Sequence, residues 1–172
     1  KPITTLVVGV SGGIDSAVTS TLCAKTNIKT IVISMPIEQN SNQHALSLRH
    51  MDWLKANFKN VTSYVINLDL IFKSFQDLMK EFNNELAYAN SRSRLRMVTL
   101  YQIAQSKKGI VVGTGNKVED FGIGFYTKYG DGGVDISPIA DCTKTQVCEM
   151  GKALKITKNI IEAKPTDGLW DD

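Results

Sequence analysis

The sequence predicts an α/β fold, an open parallel sheet with helices on both faces. Two observations carry that prediction. Short apolar, β-branched runs alternate with longer segments of helical period, the pattern of consecutive β-α-β units. The runs are short and strand-sized, and their alternation with helices is the signature of a parallel sheet covered on both faces. The chain has 172 residues, 42% of them apolar, enough for one domain with a sizeable core and too few for two.

The elements follow in order. A first strand over 3–10 holds Ile3-Thr4-Thr5-Leu6-Val7-Val8 and runs into a helix over 14–26. Then come a strand over 29–35, a helix over 42–58, a strand over 61–66, helices over 70–82 and 84–107, a strand over 109–113, and helices over 143–154 and 157–163. Thr143, with Gln146 three residues later, reads as a capping box. The 84–107 helix stops at Lys107-Lys108-Gly109, a glycine after terminal cations. Beyond it, glycines recur at 113, 115, 122, 124, 130, 132 and 133 without a period, which predicts a long functional loop. Residues 1–172 read as one domain. A core strand beginning three residues into the chain, and a loop-like ending over Pro165–Asp172, read as a core without its flanking segments.

Composition excludes several classes. The net charge of +3 is far from the basic excess of a dedicated nucleic-acid binder, so no polyanionic partner is expected. No apolar run approaches the roughly 18 to 20 residues that span a bilayer. Cys23, Cys142 and Cys148 are odd in number and lack metal-site spacing, which fits a reducing cytoplasm.

The sharpest local signal is Gly9-Val10-Ser11-Gly12-Gly13-Ile14-Asp15-Ser16, a buried strand turning through two glycines into a helix. Gly12 and Gly13 would let the backbone approach a phosphate, and the first-turn amides offer donors at the positive end of a helix dipole. Ser11 and Ser16 add hydroxyls. Asp15 would repel phosphates unless a divalent cation lies between them, so it implies Mg²⁺. No GxxxxGK[ST] and no helix-opening GxGxxG is present, which disfavours a Walker NTPase and a Rossmann dinucleotide fold.

The Ser-Gly-Gly-x-Asp-Ser turn resembles the pyrophosphate loop of the N-type ATP pyrophosphatases, the adenine-nucleotide alpha-hydrolase-like fold. Two later segments narrow the resemblance: Gly113-Thr114-Gly115-Asn116-Lys117-Val118-Glu119-Asp120, then Gly124-Phe125-Tyr126-Thr127-Lys128-Tyr129-Gly130-Asp131-Gly132-Gly133-Val134-Asp135, followed by Pro138 and Thr143-Lys144. This succession, from Leu6 to Leu169, is similar to the ammonia-dependent NAD synthetase family. The closing Pro165-Thr166-x-x-Leu169 resembles that family's mobile lid, with Thr166-Asp167-Gly168-Leu169 departing from its usual Thr-Ala-x-Leu, and Ser34 stands where many members carry an arginine near the adenine.

The resemblance implies a ligase that adenylylates the carboxylate of deamido-NAD with ATP and amidates it with ammonia. It implies ATP contacts from Gly9, Ser11, Gly12, Gly13, Asp15, Ser16, Thr114 and Lys144, a Mg²⁺ pair of Asp15 and Glu119, and catalytic roles for Asp15 and Lys144. It gives Asn90, Arg94, Phe125, Lys128, Asp131 and Asp135 to deamido-NAD, and it implies a homodimer. Residue by residue, Glu119 falls six positions beyond a strand at the carboxyl edge of the sheet, where ligands of open α/β folds collect. Lys144 opens a helix where the dipole would favour an acid, so its charge points to a triphosphate.

Asn90 and Arg94 share a helix face four residues apart, whereas Arg92 and Arg96 lie roughly 160° away and read as solvated or subunit-facing surface. Leu95, Val98, Tyr101 and Ile103 read as packing, His44 and His50 as a solvated face, and the scattered methionines as core. No glutaminase domain is visible, so nitrogen is expected from free ammonia or a partner. Two alternatives stay open: another N-type ATP pyrophosphatase with a different acceptor, and a non-catalytic nucleotide-binding module.

Overall fold

The computed structural model describes residues 2–163. The lid-like Pro165–Leu169 lies outside the described residues. Four parallel strands, β1 (Thr5–Gly9), β2 (Lys29–Ser34), β3 (Val61–Val65) and β4 (Gly109–Val111), form a sheet in the order β3-β2-β1-β4. The helices are α1 (Ile14–Lys25), α2 (Ser41–Asn57), α3 (Asp69–Leu78), α4 (Glu85–Ser106), α5 (Lys144–Ala153) and α6 (Lys158–Ile161).

Alternate strand residues face opposite layers. Val7, Ile31, Ile33 and Val111 pack with Phe72, Met97, Leu100 and Ala104 of α3 and α4. Leu6, Val8 and Val112 meet Cys23 of α1, and Val32 meets Met51 and Leu54 of α2. Both faces of the central strands β1 and β2 are therefore covered, while the edge strand β3 is largely exposed. Outside α1, a third layer packs Val147 of α5 and Ile160 of α6 on Ile14, Ala17 and Val18. A Cβ on Gly151 would meet Ile14 Cδ1 at 2.7 Å, so the glycine lets α5 pack on α1 with the Ile14 side chain in place. The winding reverses between β1 and β4, which opens a crevice at their carboxyl ends. Among the described residues no helix is long and apolar enough to cross a membrane.

Several expectations need correction. The 70–82 helix is split: α3 ends at Leu78, Met79 leaves helical geometry, and a separate 3₁₀ turn spans Lys80–Phe82. Tyr88 of α4 donates its hydroxyl to the Met79 carbonyl at 3.2 Å, which anchors the break. The glycine-rich stretch is not wholly irregular. Val118–Ile123 forms a π-helical turn that ends at left-handed Gly124 (φ 66°), and Ile136 bridges Val112 in parallel. Gly109 does not supply the left-handed stop of α4, because Lys108 takes that conformation (φ 54°). Gly109 instead opens β4, where a Cβ would meet the Thr5 carbonyl oxygen at 2.6 Å.

Neither histidine lies on a solvated face. His50 is wholly buried between α2 and α1, and His44 is half-buried with Nδ1 3.3 Å from Ser34 Oγ. Arg92 and Arg96 are not surface residues either. Arg96 donates Nε to the Met35 carbonyl at 3.0 Å, and burial pulls its pKa down to about 10, with Arg92 adding to the shift. Arg92 lies over the Phe72 ring and reaches Glu38 at 3.4 Å. Leu95 and Ile103 pack on the core as expected, whereas Val98 and Tyr101 are exposed. Met35, Met51 and Met97 are core residues.

Candidate active site

The crevice at the carboxyl ends of β1 and β4 gathers most of the singled-out residues. After Gly9 the chain turns through Ser11–Gly13 into α1. Gly13 occupies the N-cap with no side-chain cap, so the first-turn amides of α1 have no intrahelical acceptor. Two serines close the turn. The Ser11 amide donates to Ser16 Oγ at 3.2 Å, the Gly13 amide to Ser11 Oγ at 3.2 Å, and Ser16 Oγ to the Gly13 carbonyl at 2.9 Å. Their hydroxyls thus hold the loop in shape before they could serve a ligand. Gly12 is required for a reason the sequence did not show: at φ 100°, a Cβ there would lie 2.4 Å from the Gln43 carbonyl oxygen of α2.

Asp15, in the first turn of α1, meets residues from the far side of the crevice. Lys144 Nζ, at the start of α5, donates to Asp15 Oδ2 at 2.5 Å and to Glu119 Oε1 at 3.1 Å. Burial alone would lower the Lys144 pKa, but bonds and charge from Asp15 and Glu119 outweigh it and raise the pKa above the usual lysine value. The capping box at Thr143 and Gln146 is formed as the spacing predicts, and it fixes where α5 begins and hence where Lys144 stands.

Asn116 organises this cluster and was not given a role from sequence. It is wholly buried; Nδ2 donates to Asp15 Oδ1 at 3.0 Å, and Oδ1 accepts the amides of Val118 and Glu119 at 3.0 and 3.1 Å. One side chain therefore fixes Asp15 and caps the turn that carries Glu119. An asparagine two residues before a helical turn is a local cap signal that could have marked it. Thr114 is half-buried just upstream. Asp120 packs against Gly115, and its pKa is raised by burial first, then by the charges of Asp131, Glu119 and Asp15.

Asp15 and Glu119, both touching one ammonium, form an all-oxygen pair suited to a hard cation. Among the described residues no three acidic, histidine or cysteine side chains gather as a metal cage. A cation here would draw its remaining ligands from water and a bound phosphate, as Mg²⁺ commonly does.

The residues assigned to the acceptor also come together. Along one stripe of α4, Asn90 Oδ1 accepts from Thr127 Oγ1 at 2.7 Å, Ser93 Oγ donates to Asp131 Oδ1 at 2.6 Å, and Arg94 Nε donates to the Lys128 carbonyl at 3.0 Å. Ser93 was missed, although its spacing from Asn90 and Arg94 puts it on their face. A Cβ on Gly130 would lie 2.3 Å from Ser93 Oγ, so a glycine lets the loop approach α4. Phe125 is exposed, and the Lys128 ammonium sits 5.1 Å from the centre of the Tyr129 ring. Asp135 accepts the Val111 amide at 2.7 Å and so extends the edge of β4.

The chain matches the NAD synthase family over residues 1–172. It is 41% identical over 170 residues to the NH(3)-dependent NAD(+) synthetase of Mycoplasmopsis pulmonis, covering 97% of this chain and 63% of that protein. It is also 41% identical over 166 residues to that of Saccharolobus solfataricus, covering 96% and 58%. The chain thus spans about three-fifths of the length of these relatives. Among solved structures, NMN synthetase from Francisella tularensis superposes with a TM-score of 0.90 at 37% identity, over 98% of this chain and 69% of that one. The NH3-dependent NAD synthetase from Campylobacter jejuni gives 0.84 at 30% identity, over 94% and 69%. With the family matched over the whole of residues 1–172 and the fold superposing on these two structures, the chain belongs to the NAD synthase family.

Proposed function

We propose that this site joins ammonia to the carboxylate of deamido-NAD at the expense of ATP, giving NAD, AMP and pyrophosphate. The observation that carries the reading is the Asp15–Lys144–Glu119 cluster beside the uncapped first turn of α1. The amides of Ile14, Asp15 and Ser16 receive phosphate oxygens at the positive end of the helix dipole. Lys144 exchanges a carboxylate oxygen for a phosphate oxygen when ATP binds. Asp15 and Glu119 would hold Mg²⁺, whose chemistry is to screen the triphosphate and stabilise the leaving pyrophosphate.

In the first step a nicotinate carboxylate oxygen bonds to the α-phosphorus as the bond to pyrophosphate breaks. In the second, the nitrogen of ammonia bonds to the acyl carbon, AMP leaves with the oxygen, and the nitrogen loses a proton to solvent. No side-chain nucleophile is needed, so catalysis is positioning and electrostatic stabilisation. Arg94 and Lys128 supply charge to the acceptor, Phe125 offers a ring face to the pyridine, and Asn90, Asp131 and Asp135 shape the loop that receives it. Three free cysteines accord with a reducing cytoplasm.

The acceptor face also supports a homodimer. In α3 only Phe72 is buried, while Leu70, Ile71, Phe75 and Leu78 are exposed. A groove of about 260 Å³ between α3 and α4, lined by Ile71, Phe75 and Leu95, meets at Val98 a cleft of about 570 Å³ lined by Met97, Tyr101 and Tyr129. An apolar surface of this extent fits a second copy of the chain.

The testing experiment is pyrophosphate release from ATP and Mg²⁺ by the intact protein, with and without deamido-NAD and ammonium. Release should require deamido-NAD, and NAD should appear on adding ammonium. A second reading, favoured by the close superposition on the Francisella tularensis NMN synthetase, makes nicotinate mononucleotide the acceptor. A higher kcat/KM for the mononucleotide would select it. ATP binding without release for either acid would indicate a nucleotide-binding module.

A further inference from the structure

One stripe of α2, the side carrying Gln43, Ser47 and His50, lies against the turn between β1 and α1. The Gln43 carbonyl presses on Gly12, and Ser47 Oγ donates to the Val10 carbonyl at 2.9 Å. His50, two turns along the stripe from Gln43, is wholly buried and stacks on Trp53 with centroids 5.7 Å apart. Its Nε2 lies 3.0 Å from Ser20 Oγ. The hydroxyl proton of Ser20 goes to the Ser16 carbonyl at 2.7 Å, with the Ala17 carbonyl at 3.1 Å as second acceptor. Network satisfaction therefore makes the imidazole the donor, protonated at Nε2. Nδ1 is left buried with no hydrogen-bond partner.

A leucine or methionine would fill this space without stranding a ring nitrogen, so for stability alone a histidine is a poor choice here. Its bond to Ser20 leads toward the nucleotide loop. Ser20 grips the carbonyl of Ser16, and Ser16 Oγ in turn donates to the Gly13 carbonyl and accepts the Ser11 amide. We propose that His50 is a positioning residue for the ATP-phosphate loop, acting through Ser20 and Ser16 to hold the first turn of α1 in register with α2. The proposal rests on the reading of Ser11–Ser16 as that loop.

The test measures ATP affinity and thermal stability of the intact protein carrying His50→Leu, His50→Gln or Ser20→Ala. His50→Leu should melt at or above the wild-type temperature, yet bind Mg²⁺-ATP about fivefold more weakly, the scale of one net hydrogen bond. His50→Gln, which keeps an N–H at similar reach, should restore affinity. Ser20→Ala should reproduce the loss, and the double variant should be no weaker than either single one, because the two residues act in series. Unchanged affinity in His50→Leu, or in Ser20→Ala if the first variant fails to fold, overturns the proposal. So does a folded His50→Gln that does not recover. Wild-type protein that binds no ATP would instead contradict the phosphate-loop reading.

Discussion

Lys144 places one positive charge between Asp15 and Glu119, and each partner depends on the others. Removing the ammonium leaves two carboxylates facing the phosphates, and removing the Asp15 charge leaves the cation pair incomplete. Lys144→Ala and Asp15→Asn should each lower kcat/KM at least ~100-fold, the scale for loss of a preorganised charge at a reacting centre. Arg92→Ala should cost less than about fivefold in steady-state assays, since this side chain packs over Phe72 and pairs with Glu38 away from the cluster. Equal losses would contradict the assignment.

His50 makes a separate prediction. Burial lowers its pKa from 6.5 to about 4, against a weaker upward pull from the Ala17 backbone. The native imidazole is neutral, so the unfolded chain binds the extra proton first as pH falls. This charging cost is absent above about pH 6.5 and grows progressively down to about pH 4, where it removes as much as about 3 kcal/mol of the stability present at neutral pH. Urea unfolding at pH 7 and pH 4.5 should show this loss in wild type and not in His50→Leu.

At this scale Asp15 and Lys144 stood out because an acid beside a phosphate-type loop and a cation at a helix start run against simple electrostatics, and Glu119 because of the motif around it; the fold brings the three together. Asn116, Ser93 and His50 did not, because each role is a bond to a partner that only the fold brings near.

At the scale of elements, the alternation of apolar runs and helical segments placed the four strands and six α-helices to within a few residues and missed the π-helical turn Val118–Ile123. The capping box set the start of α5 because its partners are local. The break after Leu78 was hidden because its anchor, Tyr88, comes from the next helix. The glycines show the same division. A turn glycine can be recognised from sequence, but the backbone that makes Gly109 necessary belongs to Thr5 at the other end of the domain.

The two kinds of glycine should respond differently to alanine. Gly109→Ala forces β4 away from β1 and should cost about 2–3 kcal/mol, in the range of core overpacking. Gly124→Ala meets open space and carries only left-handed strain, about 1 kcal/mol. Denaturant midpoints of the two variants at a common m-value would check the order.

At the scale of the whole molecule, the sheet order puts its crevice between β1 and β4, and the loop after β4 spans from that crevice to α4. On the proposed reading, ATP and acceptor are then held on opposite sides of one opening. The exposed faces of α3 and α4 border the acceptor side, so self-association and acceptor binding should be linked. Paired substitutions Leu78→Lys and Val98→Asp should shift the protein toward monomer in sedimentation velocity and raise KM for the acceptor more than for ATP. A dimer unaffected by both would move the interface elsewhere. A helix over 70–82 was visible in the sequence, but the exposure of its apolar residues was not, since a helix facing a second copy has the same apolar pattern as one facing a core.

In the proposed reaction the acceptor's own carboxylate attacks the α-phosphorus. That attack is tested most directly by supplying acceptor labelled with ¹⁸O in the carboxylate, together with ATP, Mg²⁺ and ammonium, and measuring the isotope in AMP by mass spectrometry. Each AMP formed should carry one labelled oxygen, in step with the amide product. Pyrophosphate release that yields unlabelled AMP would mean that water is the nucleophile, and would contradict the proposed attack.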